Sequence, residues 1–121
     1  MAVRGAARRI REVLAGWDGV KPLPHRFGGE EYRLGRREIG HAHGDALVDV
    51  PLPRSVRDQI LAAGLAERHH ILPASGWVSI WLREAADVER ALAVLRRAYE
   101  LAQEQRARNA AAPDRRAIAV E

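Results

Sequence analysis

Apolar residues recur near the start of the chain at Val3, Ala6, Ala7, Ile10, Val13, Leu14 and Trp17, the three-four spacing of an amphipathic helix. Arg4, Arg8 and Arg11 fall on its other side and read as a solvated face. The stretch from Asp18 to Glu30 holds Pro22, Pro24, Gly28 and Gly29, which predicts an irregular connection. From Glu31 the period changes to two. Tyr32 and Leu34 share one face of a first strand, and Gly35-Arg36 allows a turn. Ile39, His41 and His43 share a face of a second strand, with Glu38 turned away if that strand is regular. After Gly44-Asp45 a third strand, Leu47 to Leu52, points Val48, Val50 and Leu52 one way until Pro51 and Pro53 close it.

Arg54 to Ala63 reads as a short helix with Val56, Ile60 and Leu61 inward, ended by Gly64. Ala66 to Leu72 predicts a fourth strand, Pro73-Ala74-Ser75-Gly76 a turn, and Trp77 to Leu82 a fifth strand. A final helix starts near Ala85, with Val88, Ala91, Leu92, Leu95, Ala98, Tyr99 and Ala102 as its inward stripe and Asp87 and Glu89 opposing its dipole. Its stripe dissolves beyond Gln103. The expected fold is therefore α+β, in the order α-β-β-β-α-β-β-α. It is a small antiparallel sheet of about five strands with helices packed on one face. Residues 1–108 form one domain and residues 109–121 a flexible tail.

Composition narrows the classes. A chain of 121 residues with 47% hydrophobic and 30% charged residues has room for one core and is not a disordered composition. Twenty basic against sixteen acidic residues, a net charge of +4, is too small an excess to argue for nucleic acid. The absence of cysteine excludes disulfides, thiolate metal sites and a cysteine nucleophile. The arginine-studded N-terminus is neither a signal peptide nor a membrane span, so a cytoplasmic protein is the expectation.

The pointed chemistry is histidine. His41 and His43, two apart on a strand, stand on one face roughly 6.5–7 Å apart, with small neighbours Gly40, Ala42 and Gly44. That spacing suits two ligands of one metal, or a base and a second imidazole that orients a substrate. His69 and His70 come from a later strand, where parity admits only one of them to the same face. Asp45 and Asp49 are candidates to orient an imidazole. Ser75 and Ser79 lack the strand-turn-helix setting of a hydrolase nucleophile.

The run Arg36-Arg37-Glu38-Ile39-Gly40-His41-Ala42-His43-Gly44-Asp45, the later Ala63-Gly64-Leu65-Ala66-Glu67-Arg68-His69, the Gly76-Trp77 strand and the closing helix resemble the luciferase-domain family. That family holds many small bacterial proteins and, more remotely, the catalytic domain of the fungal luciferases. The likeness runs from about Phe27 to Ala102 and singles out Arg37, Glu38, His41, His43, Arg68, His69 and Trp77.

Carried to this chain, the resemblance implies a histidine-lined pocket that binds or oxidises an enol- or phenol-like molecule, without a metal or organic cofactor. His41, His43 and His69 would then be catalytic, and Arg37, Arg68, Asp45 and Trp77 substrate-binding. No counterpart of the membrane-anchoring N-terminal part of the fungal enzymes is expected within these 121 residues. Two other readings stand beside it: a non-enzymatic interaction module, nucleic-acid-associated if its basic residues formed one patch, and a divalent-metal domain using His41, His43 and His69.

Overall fold

The computed structural model describes residues 2–25 and 28–111. Its elements are α1 (Ala6–Ala15), β1 (Val20–Pro24), β2 (Glu30–Leu34), β3 (Arg37–His43), β4 (Leu47–Pro51), α2 (Arg54–Ala62), β5 (Glu67–Arg68), β6 (Trp77–Trp81) and α3 (Ala85–Ala111). The strands form a single sheet in the order β1-β2-β3-β4-β6-β5, with every neighbouring pair antiparallel. The predicted α+β class holds, with six strands among the described residues where about five were expected.

One face of the sheet is apolar and covered. Tyr32, Leu34, Ile39, Ala42, Val48, Val50, Val78 and Ile80 are buried in a core completed by Ile10 and Leu14 of α1, Val56 and Ile60 of α2, and Val88, Leu92, Leu95 and Tyr99 of α3. Close packing of α3 explains Gly40, because a Cβ built there would lie 2.6 Å from Leu95 Cδ2 and 2.9 Å from the Asp49 carbonyl oxygen. The Tyr99 hydroxyl donates to the Asp18 carbonyl oxygen at 2.6 Å and ties α3 to the turn that leads into β1.

Four expectations change. The stretch expected to be irregular contains β1, which pairs only with β2 and so sits at the sheet edge. An edge strand tolerates Pro22 and Pro24, whose missing N–H groups would break a central ladder. The strand expected over Ala66 to Leu72 shrinks to β5, because the His69 ring takes over the backbone that follows: its Nδ1 accepts from Ile71 N at 3.2 Å and Leu72 N at 3.0 Å. Helix α3 continues through Ala111, three residues into the expected tail, and the rest of that tail lies outside the described residues.

The fourth change sets the chemistry. Between Tyr32 and Arg33 the register with β3 shifts: Tyr32 pairs with Gly40 but Arg33 pairs with Glu38, leaving Ile39 as the extra residue of a bulge. A bulge inverts the parity of everything before it. Ile39 therefore turns into the core, fully buried, while Glu38 joins His41 and His43 on the opposite face.

Candidate functional site

The uncovered face carries the ionisable residues. Direct cross-strand pairing runs Leu23, Glu31, His41, Asp49, Ser79 and Glu67 in one row across all six strands. His43 lies on the same face two residues along β3, and Trp77 does so on β6. The segment after β5 folds back over this face and brings His69 and His70 onto the same row. A cleft of about 780 Å³ results, lined on one side by Glu31, Arg33, Glu38, His41 and His43, and on the other by His69, His70, Ile71, Leu72 and Trp77.

Asp49 is the hub. It is 1% exposed, and its Oδ1 accepts from the Ser79 hydroxyl at 2.7 Å. Its Oδ2 lies 3.1 Å from His43 Nε2, 3.3 Å from His41 Nε2 and 3.5 Å from His69 Nε2. Burial raises the carboxyl pKa, but hydrogen bonds from His41 and Ser79 and the nearby imidazoles outweigh it and hold the group down at about 2.

His41 is fixed from every side. Its Nδ1 lies 3.0 Å from Glu38 Oε2, while the His25 ring stacks on it at 4.2 Å and the Trp77 ring packs at 5.2 Å. Burial lowers its pKa, yet bonds to Asp49 and Glu38 raise it further, to about 9. His69 differs. Because its Nδ1 accepts two backbone N–H groups, its neutral ring carries the proton on Nε2 and presents a donor to the cleft. Burial, with the neighbouring His70 and His41 rings, pushes its pKa down against the pull of Asp49.

His41, His43, His69 and Trp77 line one cleft. Arg37, Asp45 and Arg68 do not. Arg37 donates to Gln105 on α3, away from the cleft. Asp45 caps α1, accepting from Ala7 N at 2.8 Å and Gly5 N at 3.2 Å. Arg68 donates to the Pro73 carbonyl oxygen at 3.1 Å and closes the turn beneath His69.

Residues not singled out take their places. Arg33 is the guanidinium lining the cleft and pairs with Glu31, which also meets His25 Nδ1 at 3.1 Å. Parity opposite Tyr32 and Leu34 signals both Glu31 and Arg33 in the sequence. His70 also reaches the hub, with Nδ1 3.2 Å from Ser79 Oγ and 3.8 Å from Asp49 Oδ1, since strand parity no longer applies beyond Arg68. Ser79 matters as the support of Asp49 and not as a nucleophile.

An antiparallel sheet with helices on one face and an aspartate-centred histidine cleft on the other defines a small α+β domain built to present imidazoles. Among models of protein families, the luciferase domain matches residues 36–98, just over half of the chain. The chain belongs to the luciferase-domain family. The matched span holds Glu38, His41, His43, Asp49, His69, His70, Trp77 and Ser79, while His25, Glu31 and Arg33 lie before it. Neither the curated proteins nor the solved structures gave a match. No helix among the described residues is long and apolar enough to cross a membrane.

Proposed function

We propose that the cleft takes a small enol- or phenol-like molecule and that its anion reacts there with dioxygen. The observation that carries this reading is the meeting of three imidazole Nε2 atoms within 3.5 Å of one buried carboxylate oxygen, on the floor of a cleft of about 780 Å³. That volume suits a small organic ligand. The walls divide the work: Trp77, Ile71, Leu72 and Pro24 offer apolar contact, while Arg33 and the His69 Nε2–H are donors for an anionic oxygen.

In the proposed reaction the substrate releases its acidic proton into the imidazole cluster. The electron-rich carbon then forms a C–O bond to dioxygen, which gains two electrons as that carbon is oxidised. The proton returns to the distal oxygen and gives an organic hydroperoxide, so substrate and dioxygen balance without an external reductant. No organic cofactor is required. A cytoplasmic setting goes with this proposal.

A nucleic-acid module has less support, because the basic residues of α1 face carboxylates: Arg8 meets Glu12, Arg9 meets Glu89 and Arg11 meets Glu30. The test is a panel of hydroxypyrones, catechols and simple phenols, followed by tryptophan fluorescence and an oxygen electrode. One class should quench saturably and consume equimolar oxygen, and W77F should lose most of the quench. H69A should weaken binding by about tenfold or more, the worth of one hydrogen bond to a charged group. Unaltered binding in H69A, or no binding by any class, would reject the proposal.

A further inference from the structure

We infer that His41 Nε2, His43 Nε2 and Asp49 Oδ2 form a binding site for one divalent first-row metal ion, a two-histidine, one-carboxylate set on adjacent strands. The inference goes beyond the substrate reading, since ion binding needs no substrate.

The first support is crowding at one oxygen. Asp49 Oδ2 is approached by three imidazole nitrogens at 3.1, 3.3 and 3.5 Å, and Ser79 occupies Oδ1. Only the His43 contact has hydrogen-bond geometry; the His41 and His69 nitrogens stand against the same oxygen as ion-pair contacts. A cation between the groups would draw this crowd of donor atoms into one coordination set.

The second support is distance. Ligand atoms about 2.1 Å from a metal stand roughly 3.0–3.4 Å apart at octahedral or tetrahedral angles. The Asp49–His43 and Asp49–His41 separations, 3.1 and 3.3 Å, are of that length, and the three donor atoms lie within 4.8 Å of one another. Pairing of His41 with Asp49 across the β3–β4 ladder, with His43 two residues on, sets all three on one side of an ion. The positions facing the cleft stay open to a ligand oxygen.

The third is the surrounding shell. Glu38 holds His41 Nδ1 at 3.0 Å, so that Nε2 is the nitrogen turned toward Asp49, and Ser79 orients the Asp49 carboxylate. His69 is excluded as a ligand, because a neutral ring whose Nδ1 accepts backbone N–H groups carries its proton on Nε2. The expected set of His41, His43 and His69 therefore becomes His41, His43 and Asp49. His69 is left to donate a hydrogen bond to whatever the ion holds.

Protein prepared without a histidine tag and stripped by chelator should be titrated calorimetrically with Zn(II) and Co(II), with Co(II) absorption as a second readout. One ion per chain is expected. H43A, or H43Q if the alanine variant fails to fold by circular dichroism, should lose about 100-fold or more in affinity, beyond what loss of an outer-shell partner costs. H69A and H70A, which remove outer-shell neighbours of Asp49, should keep one ion per chain and lose about tenfold or less in affinity. Occupancy far below one ion, or loss of binding in H69A or H70A with retention in H43A, would overturn the site. Occupancy far below one ion in protein that still consumes oxygen would count against the ion while sparing the oxygenase reading. Full metal binding with no turnover on the panel would do the reverse.

Discussion

Replacing Gly40 by alanine tests the junction between the core and the cleft. The new methyl would meet Leu95 Cδ2 at 2.6 Å and the Asp49 carbonyl oxygen at 2.9 Å, on two different elements. Carbon atoms settle near 3.5–4.0 Å, so the Leu95 side chain must turn or α3 retreat by about 1 Å, and β3 must also ease away from the β4 backbone. Neither is easy. Leu95 is fully buried, and the carbonyl belongs to the ladder between central strands.

Overpacking of this kind costs about 1–3 kcal/mol, and a backbone obstacle places Gly40→Ala in the upper half, about 2–3 kcal/mol. For a domain of this size that corresponds to a fall in Tm of roughly 8–15 °C, read by circular dichroism and checked by urea titration. Leu95→Ala alone should cost about 2–5 kcal/mol through the cavity it leaves. In the double variant the new methyl occupies part of that cavity, so the combined loss should fall short of the sum by about 1 kcal/mol or more. A Tm change under about 2 °C for Gly40→Ala, or strict additivity in the double variant, would refute the packing of α3 on β3. Because His41 follows Gly40 directly and pairs with Asp49, the substitution should also weaken metal binding.

Four further outcomes follow from individual contacts. Asp45→Ala removes the acceptor for two amides at the start of α1 and should cost about 1–2 kcal/mol in urea titration while leaving cleft ligands unaffected. The Arg11 guanidinium hydrogen-bonds Glu30 at 2.9 Å and holds its carboxyl below the usual range, against the opposing effect of burial. The pair should thus support stability above the ordinary glutamate pKa and lose that contribution as the pH falls; Arg11→Ala should flatten this acid limb of a Tm-against-pH curve, and an unchanged limb would dismiss the pair. Glu38→Gln should weaken metal affinity by roughly tenfold with little change in Tm, whereas Arg37→Ala, whose side chain sits on α3, should change neither ligand nor metal binding.

Much of the fold is legible in residue periodicity, and the exceptions have local causes. The stripes from Ala6 to Leu14 and from Val88 to Ala102 identify α1 and α3 because both helices bury one face on a single sheet. Strand β1 escapes notice because prolines signal a loop wherever the edge position of a strand is not yet known. Convergence of His41, His43 and His69 is readable from order and spacing, but the membership of Glu38 is not, because a bulge at Ile39 leaves no mark in a pattern of twos. His70 is hidden by the same rule applied where it has lapsed, beyond the last paired residue of β5. Arg37 and Arg68 stand out in the sequence while side-chain direction is unknown; among the described residues, Arg33 is the arginine that lines the cleft.

The two-sidedness of the sheet bears on how such a domain can change. Along β2, β4 and β6, neighbouring positions answer to different demands: Tyr32, Val48 and Val78 to the fold, Glu31, Asp49 and Ser79 to the cleft. New specificities can be drafted on alternate positions of these strands while the other positions keep the scaffold folded. A combinatorial library confined to Glu31, Arg33, His43, Trp77 and the Ile71-Leu72 rim should retain folded members at high frequency. The same scaffold can then be asked to accept ligands it has never met.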